Sequence, residues 1–116
     1  MHKKMIHLDC TFRDGGYYTK WDFSTDLINE YLVAVSAAGV DVAELGFRFW
    51  SNNDFRGACA YTTDEFLESL NIPSGISIGV MLNASDLIVD GNASITRLKK
   101  LVPRRADESP ADLIRI

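Results

Sequence analysis

The chain has 116 residues, 47% hydrophobic and 24% charged, an ordinary globular composition with room for at most one domain. A formal net charge of −4 argues against a nucleic-acid partner, which would require a clustered basic face, and no segment is long and apolar enough to span a bilayer. Cys10 and Cys59 lack any CxxC spacing, so they indicate neither a zinc site nor a disulfide framework, and a reducing cytoplasm fits them.

Met1-His2-Lys3-Lys4 is basic like the start of a signal peptide, but His7 and Asp9 interrupt the apolar run before it could serve as an h-region. Residues 5–10 instead read as a buried strand delivering Thr11-Phe12-Arg13-Asp14-Gly15-Gly16 at its C-terminal end. A guanidinium offers a rigid fork of donors to a carboxylate or an enolate-like oxygen, and a neighbouring carboxylate is a hard ligand for a divalent ion. Strand alternation would put Arg13 and Asp14 on opposite faces. They share one pocket only if the backbone leaves extended geometry near Arg13, in a tight turn that Gly15-Gly16 would permit. The structural alternative is a plain Arg-Asp pair beside a glycine turn.

Residues 17–22 continue as an aromatic loop. Phe23, Leu27, Ile28, Tyr31, Leu32 and Val35 then recur at helical spacing, with Asp22 or Ser24 as cap, Asp26 in the first turn and Gly39 at the end. Residues 40–49 read as a second strand buried on both sides, as a parallel strand should be. One parity holds Val42, Glu44, Gly46 and Arg48, and the other holds Ala43, Leu45, Phe47 and Phe49. Charges in such a strand are costly to bury unless paired or functional.

A polar loop over residues 51–61 leads to Thr62-Thr63-Asp64-Glu65, a capping-box pattern opening a short helix with Phe66, Leu67 and Leu70, which Pro73-Ser74-Gly75 ends. Residues 76–82 form a third strand, with Ser77, Gly79, Met81 and Asn83 on one parity. Ile95, Leu98, Leu101 and Val102 mark a third helix, stopped by Pro103. Lys99-Lys100 and Arg104-Arg105 are best read as solvated cations near its C-terminal end. Leu113-Ile114-Arg115-Ile116 is a fourth strand.

Strands alternating with helices imply an α/β fold with a parallel sheet and right-handed crossovers. Periodicity alone does not separate half a barrel from a doubly wound open sheet. A dinucleotide-binding sheet, however, would carry GxGxxG, which Gly15-Gly16-Tyr17 does not match.

Asp9-Cys10-Thr11-Phe12-Arg13-Asp14-Gly15 resembles the D-x-T-x-R-D-G signature opening the barrel of the metal-dependent superfamily that contains hydroxymethylglutaryl-CoA lyase, isopropylmalate and homocitrate synthases, and 4-hydroxy-2-oxovalerate aldolase. Gly16-Tyr17-Tyr18 and Trp21-Asp22-Phe23 make it most similar to the aldolase-like branch. Similarity continues at Glu44-Leu45-Gly46-Phe47-Arg48-Phe49, Ala60-Tyr61-Thr62-Thr63-Asp64-Glu65-Phe66 and Gly79-Val80-Met81-Leu82-Asn83-Ala84-Ser85-Asp86. A complete barrel of this kind needs about 250 residues, so the resemblance implies its N-terminal half, over residues 1–116, with about four strands and three helices.

The resemblance assigns Asp14 to a divalent metal, Mg²⁺ or Mn²⁺, and Arg13 to stabilisation of a pyruvate-like enolate. It places Glu44 near the substrate or a water as a catalytic residue; a buried carboxylate paired with Arg48 or Arg13 is the equal alternative. Arg48 and Asn83, at later strand ends, are pocket candidates, and Asp9 and Thr11 are expected to support the turn beneath the site. The family completes its metal site with a His-x-His pair, whereas this chain has only His2 and His7. The expected reaction is therefore that of a larger parent protein, an aldolase or lyase acting on a 2-oxo acid, with the chain inactive alone. The alternatives are an acyl-CoA-dependent condensing synthase and a non-catalytic half-barrel binding protein. An uncovered sheet face and final strand would favour a homodimer or association with the rest of a barrel.

Overall fold

The computed structural model describes residues 4–50 and 53–116. In chain order its elements are β1 (Leu8–Asp9), α1 (Thr11–Thr19), α2 (Thr25–Ala37), β2 (Val42–Phe47), a 3-10 turn at Ala58–Ala60, α3 (Asp64–Glu68), β3 (Ser77–Met81), a 3-10 turn at Ala84–Leu87, β4 (Ile88–Val89), β5 (Asn92–Ala93), α4 (Ile95–Leu101) and β6 (Leu113–Arg115). β1, β2, β3 and β6 form one sheet in that order, every pair parallel. Successive sheet strands are thus neighbours joined by helical connections, the arrangement expected of the first strands of a (β/α)8 barrel. Among the described residues no helix is long and apolar enough to cross a membrane.

Local chemistry sets the helices. Ser24 caps α2 by accepting the Leu27 N–H at 3.1 Å, and Gly39 takes φ 84° just beyond its end. Ile28 and Leu32, four apart on one face, are fully buried against the sheet residues Ala43, Leu45 and Ile78 in a single core. Thr63 caps α3 through the Phe66 N–H at 3.1 Å, and Ser94 caps α4 through the Arg97 N–H at 3.2 Å. α4 buries none of its residues completely and is the least anchored of the four helices among the described residues.

Three expectations are corrected. The first strand is only Leu8–Asp9, and the chain leaves extended geometry at Cys10, with φ −117° and ψ 25°, three residues earlier than expected. Half of the presumed aromatic loop, residues 17–19, belongs to α1, and Gly15 and Gly16 are helical residues without positive φ. Glycine costs a helix about 1 kcal/mol relative to alanine. Here the cost is offset by packing: a Cβ on Gly16 would lie 1.9 Å from Trp21 Cδ1, so the missing side chain admits the buried indole. The indole N–H in turn donates to the Arg13 carbonyl at 2.9 Å, while Phe12 stacks on Phe23 and Tyr31 at centroid distances of 4.5 and 4.3 Å.

The second correction concerns parity in β2. Glu44 pairs with Gly79, but the next aligned pair is Gly46 with Val80, so Leu45 is an extra residue in the ladder. Such a bulge exchanges the faces of everything after it. Phe47 consequently joins Glu44 and Met81, and Arg48 turns to the opposite, helix-covered face with Gly46. Gly46 is required there because a Cβ would sit 1.9 Å from the Cys59 carbonyl oxygen.

The third concerns residues 83–94, to which no element is assigned from sequence: they hold a hairpin, β4–β5. Its two-residue turn, Asp90-Gly91, has φ of 51° and 79°, both positive as a type I′ turn demands. With α1 added, the expected three helices become four among the described residues. Residues 1–3, the basic start, and residues 51 and 52 of the polar loop lie outside the described residues.

Candidate active site

The turn between β1 and α1 is built by Asp9. One carboxylate oxygen accepts the Thr11 N–H at 3.0 Å, the other accepts the Thr11 hydroxyl at 3.1 Å, and the Tyr31 hydroxyl donates to the first. Burial pushes the Asp9 carboxyl up, but the bonds from Tyr31 and Thr11 outweigh it and hold the group below its ordinary value; burial and Asp9 together push the Tyr31 hydroxyl up. Asp9 and Thr11 thus carry the first turn of α1, and with it Arg13, to Glu44 of β2.

Glu44 is fully buried there and is met by two guanidiniums. Arg13 Nε donates to Oε1 at 3.0 Å; Arg115, from β6, donates through Nε to Oε2 at 2.6 Å and through Nη2 to Oε1 at 2.8 Å. The Arg13 guanidinium also lies 5.9 Å from the Phe47 ring centroid, and Arg115 Nη2 lies 3.7 Å from Met81 Sδ. Burial raises the Glu44 carboxyl, yet the bonds and charge of Arg115 and Arg13 more than reverse this, so it stays ionised below the usual glutamate range. The same carboxylate raises the Arg115 guanidinium. Glu44 pairs with Arg13, one of the two partners weighed from sequence, and with Arg115, which sequence reading left in the fourth strand without a role. Arg115 carried the same signal as Glu44, a charge inside an apolar strand.

Asp14 follows Arg13 on the helix and is not among the groups that meet Glu44. Its side chain is 73% exposed, with Oδ1 3.6 Å from Arg13 Nη1, a contact that solvent screens. It is free to ligate a metal, but among the described residues no three His, Cys, Asp or Glu side chains gather to hold one. One carboxylate fits as a single ligand and does not complete a site.

Arg48 is not brought into this cluster. On the other face of the sheet it donates through Nε to the Thr62 carbonyl, Nη1 to the Leu101 carbonyl and Nη2 to Asp64 Oδ1, each at 2.9 Å. It borders a groove of about 340 Å³ between α3 and α4, lined also by Phe49, Tyr61 and Lys100. Asn83 lies just past β3, at the N-cap of the 3-10 turn Ala84–Leu87, with its carbonyl accepting the Asp86 N–H at 3.0 Å.

No family model matches the sequence, and no curated protein matches it. Among solved structures, the crystal structure of the N-terminal domain of a putative aldolase from Bacteroides vulgatus matches with a TM-score of 0.81 and 33% sequence identity. The match covers 97% of this chain. The chain is related to that N-terminal domain. It spans about a third (35%) of the matched chain, so the relation concerns one part of a longer molecule. The parallel α/β arrangement matches the N-terminal part of that putative aldolase's barrel domain.

Proposed function

We propose that the chain supplies the enolate-stabilising part of the active site of a divalent-metal-dependent aldolase that makes or breaks a carbon–carbon bond in a 2-oxo acid. The observation carrying this reading is the Arg13 guanidinium, which follows the C-terminal end of β1, where barrel active sites are assembled, and is fixed through Nε by the buried Glu44 carboxylate of β2. Its Nη edge remains outside the Glu44 pair, in position to donate to an oxygen that gains negative charge in the transition state. The relation to an aldolase domain supports carbon–carbon cleavage over acyl-CoA condensation.

Asp14 would give a Mg²⁺ or Mn²⁺ ion one ligand, the others coming from residues beyond these. Such an ion polarises a carbonyl oxygen. The sheet face bearing Glu44 would be completed by the rest of a barrel, or by a second copy of the chain.

The test is exchange of pyruvate methyl protons with heavy water by the intact full-length protein, followed by proton NMR. Exchange that requires both the metal and Arg13 is expected. Exchange that survives chelation, or that Arg13→Met leaves unchanged, overturns the reading.

A further inference from the structure

Glu44 is a carboxylate with no exposure, and Arg13 reaches only one of its oxygens, through a single N–H. That contact alone would leave Oε2 buried and unpaired and the carboxylate free to rotate. Arg115 supplies what is missing. Its Nε and Nη2 engage both oxygens at 2.6 and 2.8 Å, the two-point geometry that fixes a carboxylate plane. Arg115 is itself held from behind: it pairs with Met81 in the β3–β6 ladder, and its carbonyl accepts the Leu82 N–H at 2.8 Å. The strand pairing needs only this backbone, so the guanidinium is not required to form the sheet.

We infer that Arg115 is a positioning residue for Arg13: it locks the plane of Glu44, and Glu44 Oε1 then locks the Arg13 guanidinium by its Nε so that the Nη edge faces the reacting centre. The last clause rests on the aldolase reading, whereas the lock itself does not. The 44% exposure of the Arg115 side chain distinguishes it from a core pin. Glu44 in this arrangement is an orienting anion, not a proton carrier.

The experiment is NMR on the protein without substrate, comparing wild type, Arg115→Met and Arg115→Lys. It follows solvent exchange of the Arg13 Nε–H and the pH titration of the Glu44 carboxyl carbon, with backbone amide shifts of β2 and β3 reporting the fold. In wild type the Arg13 Nε–H is protected and Glu44 titrates low. Arg115→Met speeds that exchange by about tenfold, the equivalent of one lost charged hydrogen bond, and moves the Glu44 titration up. Arg115→Lys restores the charge without the two-point geometry, so Glu44 still titrates low while the Arg13 Nε–H exchanges fast. Unchanged Arg13 protection in either folded variant overturns the proposal; the lysine variant serves if the methionine variant does not fold. In the active protein, Arg115→Met lowers kcat more than it raises KM. Failure of the pyruvate exchange reaction would remove the aldolase reading and leave the NMR result standing.

Discussion

Two buried carboxylates on opposite faces of the sheet each meet two guanidiniums, and they do different things with them. Asp64 accepts from Arg48 Nη2 at 2.9 Å and from the Ser109 hydroxyl at 2.6 Å, with Arg104 Nε 3.7 Å from its second oxygen. Arg48 is only 4% exposed and gives its remaining bonds to the Thr62 and Leu101 carbonyls, tying the end of β2 to α3 and α4. Arg13 gives one N–H to a buried acceptor, keeps 18% of its side chain exposed and sits beside the solvated Asp14. An arginine saturated by protein acceptors holds elements together. One that is anchored at Nε alone is held still and remains able to bind.

Substitution of the two arginines tests that distinction most strongly. Arg48→Met strips Asp64 of its nearest guanidinium and takes a donor from the Thr62 and Leu101 carbonyls, so a loss of about 3–5 kcal/mol is expected in urea unfolding. Arg13→Met leaves Glu44 paired with Arg115 and should cost about 1–3 kcal/mol. Equal losses would erase the difference between the faces. Gly46→Ala forces a methyl into the Cys59 carbonyl and should cost about 1–3 kcal/mol or more by overpacking at the bulge. A stability close to wild type would mean that Arg48 is not kept on its face by this close approach.

Acid sharpens the comparison further. Glu44 and Asp64 are both held below their ordinary values: burial raises each, and the surrounding donors more than compensate, Arg115 and Arg13 at Glu44 and Ser109, Arg48 and Arg104 at Asp64. A depressed folded value contributes stability that is full above the unfolded values, about 4.3 for Glu and 3.9 for Asp, and is lost as pH falls through the folded ones. The urea midpoint should therefore be flat from about pH 7 to 5 and fall below about pH 4, with part of that fall absent in Glu44→Gln. The smallest expected effect is at the exposed Asp14. Asp14→Asn should change stability by less than about 0.5 kcal/mol, while calorimetric titration of the full-length protein with Mn²⁺ shows weakened binding; undiminished Mn²⁺ affinity would remove Asp14 from the metal site.

Much of this architecture can be read from local signals. Ser24 and Gly39 bracket α2, Thr63 marks α3, and the apolar runs around Glu44, Gly79 and Ile114 are the sheet strands. The segment bearing Arg13 is legible as a site and not as a helix, because Gly15 and Gly16 suppress helical propensity while the compensation comes from Trp21, five residues beyond Gly16, and from Phe23 and Tyr31. Arg48 is misplaced by alternation because the Leu45 bulge exists only in the register between β2 and β3. The Asp90-Gly91 hairpin needed no tertiary information; the dipeptide is itself the turn signal.

The bond between Arg115 and Glu44 spans 71 positions of the sequence. Contacts of such long range form late, after the local pairings that narrow the search, and chain synthesis delivers Arg115 several seconds after Glu44 at about 5–20 residues per second. Until then a strand destined for complete burial carries a carboxylate with at most Arg13 as its counter-ion, and its desolvation is correspondingly opposed. Arg115 would therefore also act as a checkpoint on assembly: β2 would gain little from burying its centre before β6 has docked, and a nascent chain lacking that strand would keep this part of the sheet hydrated.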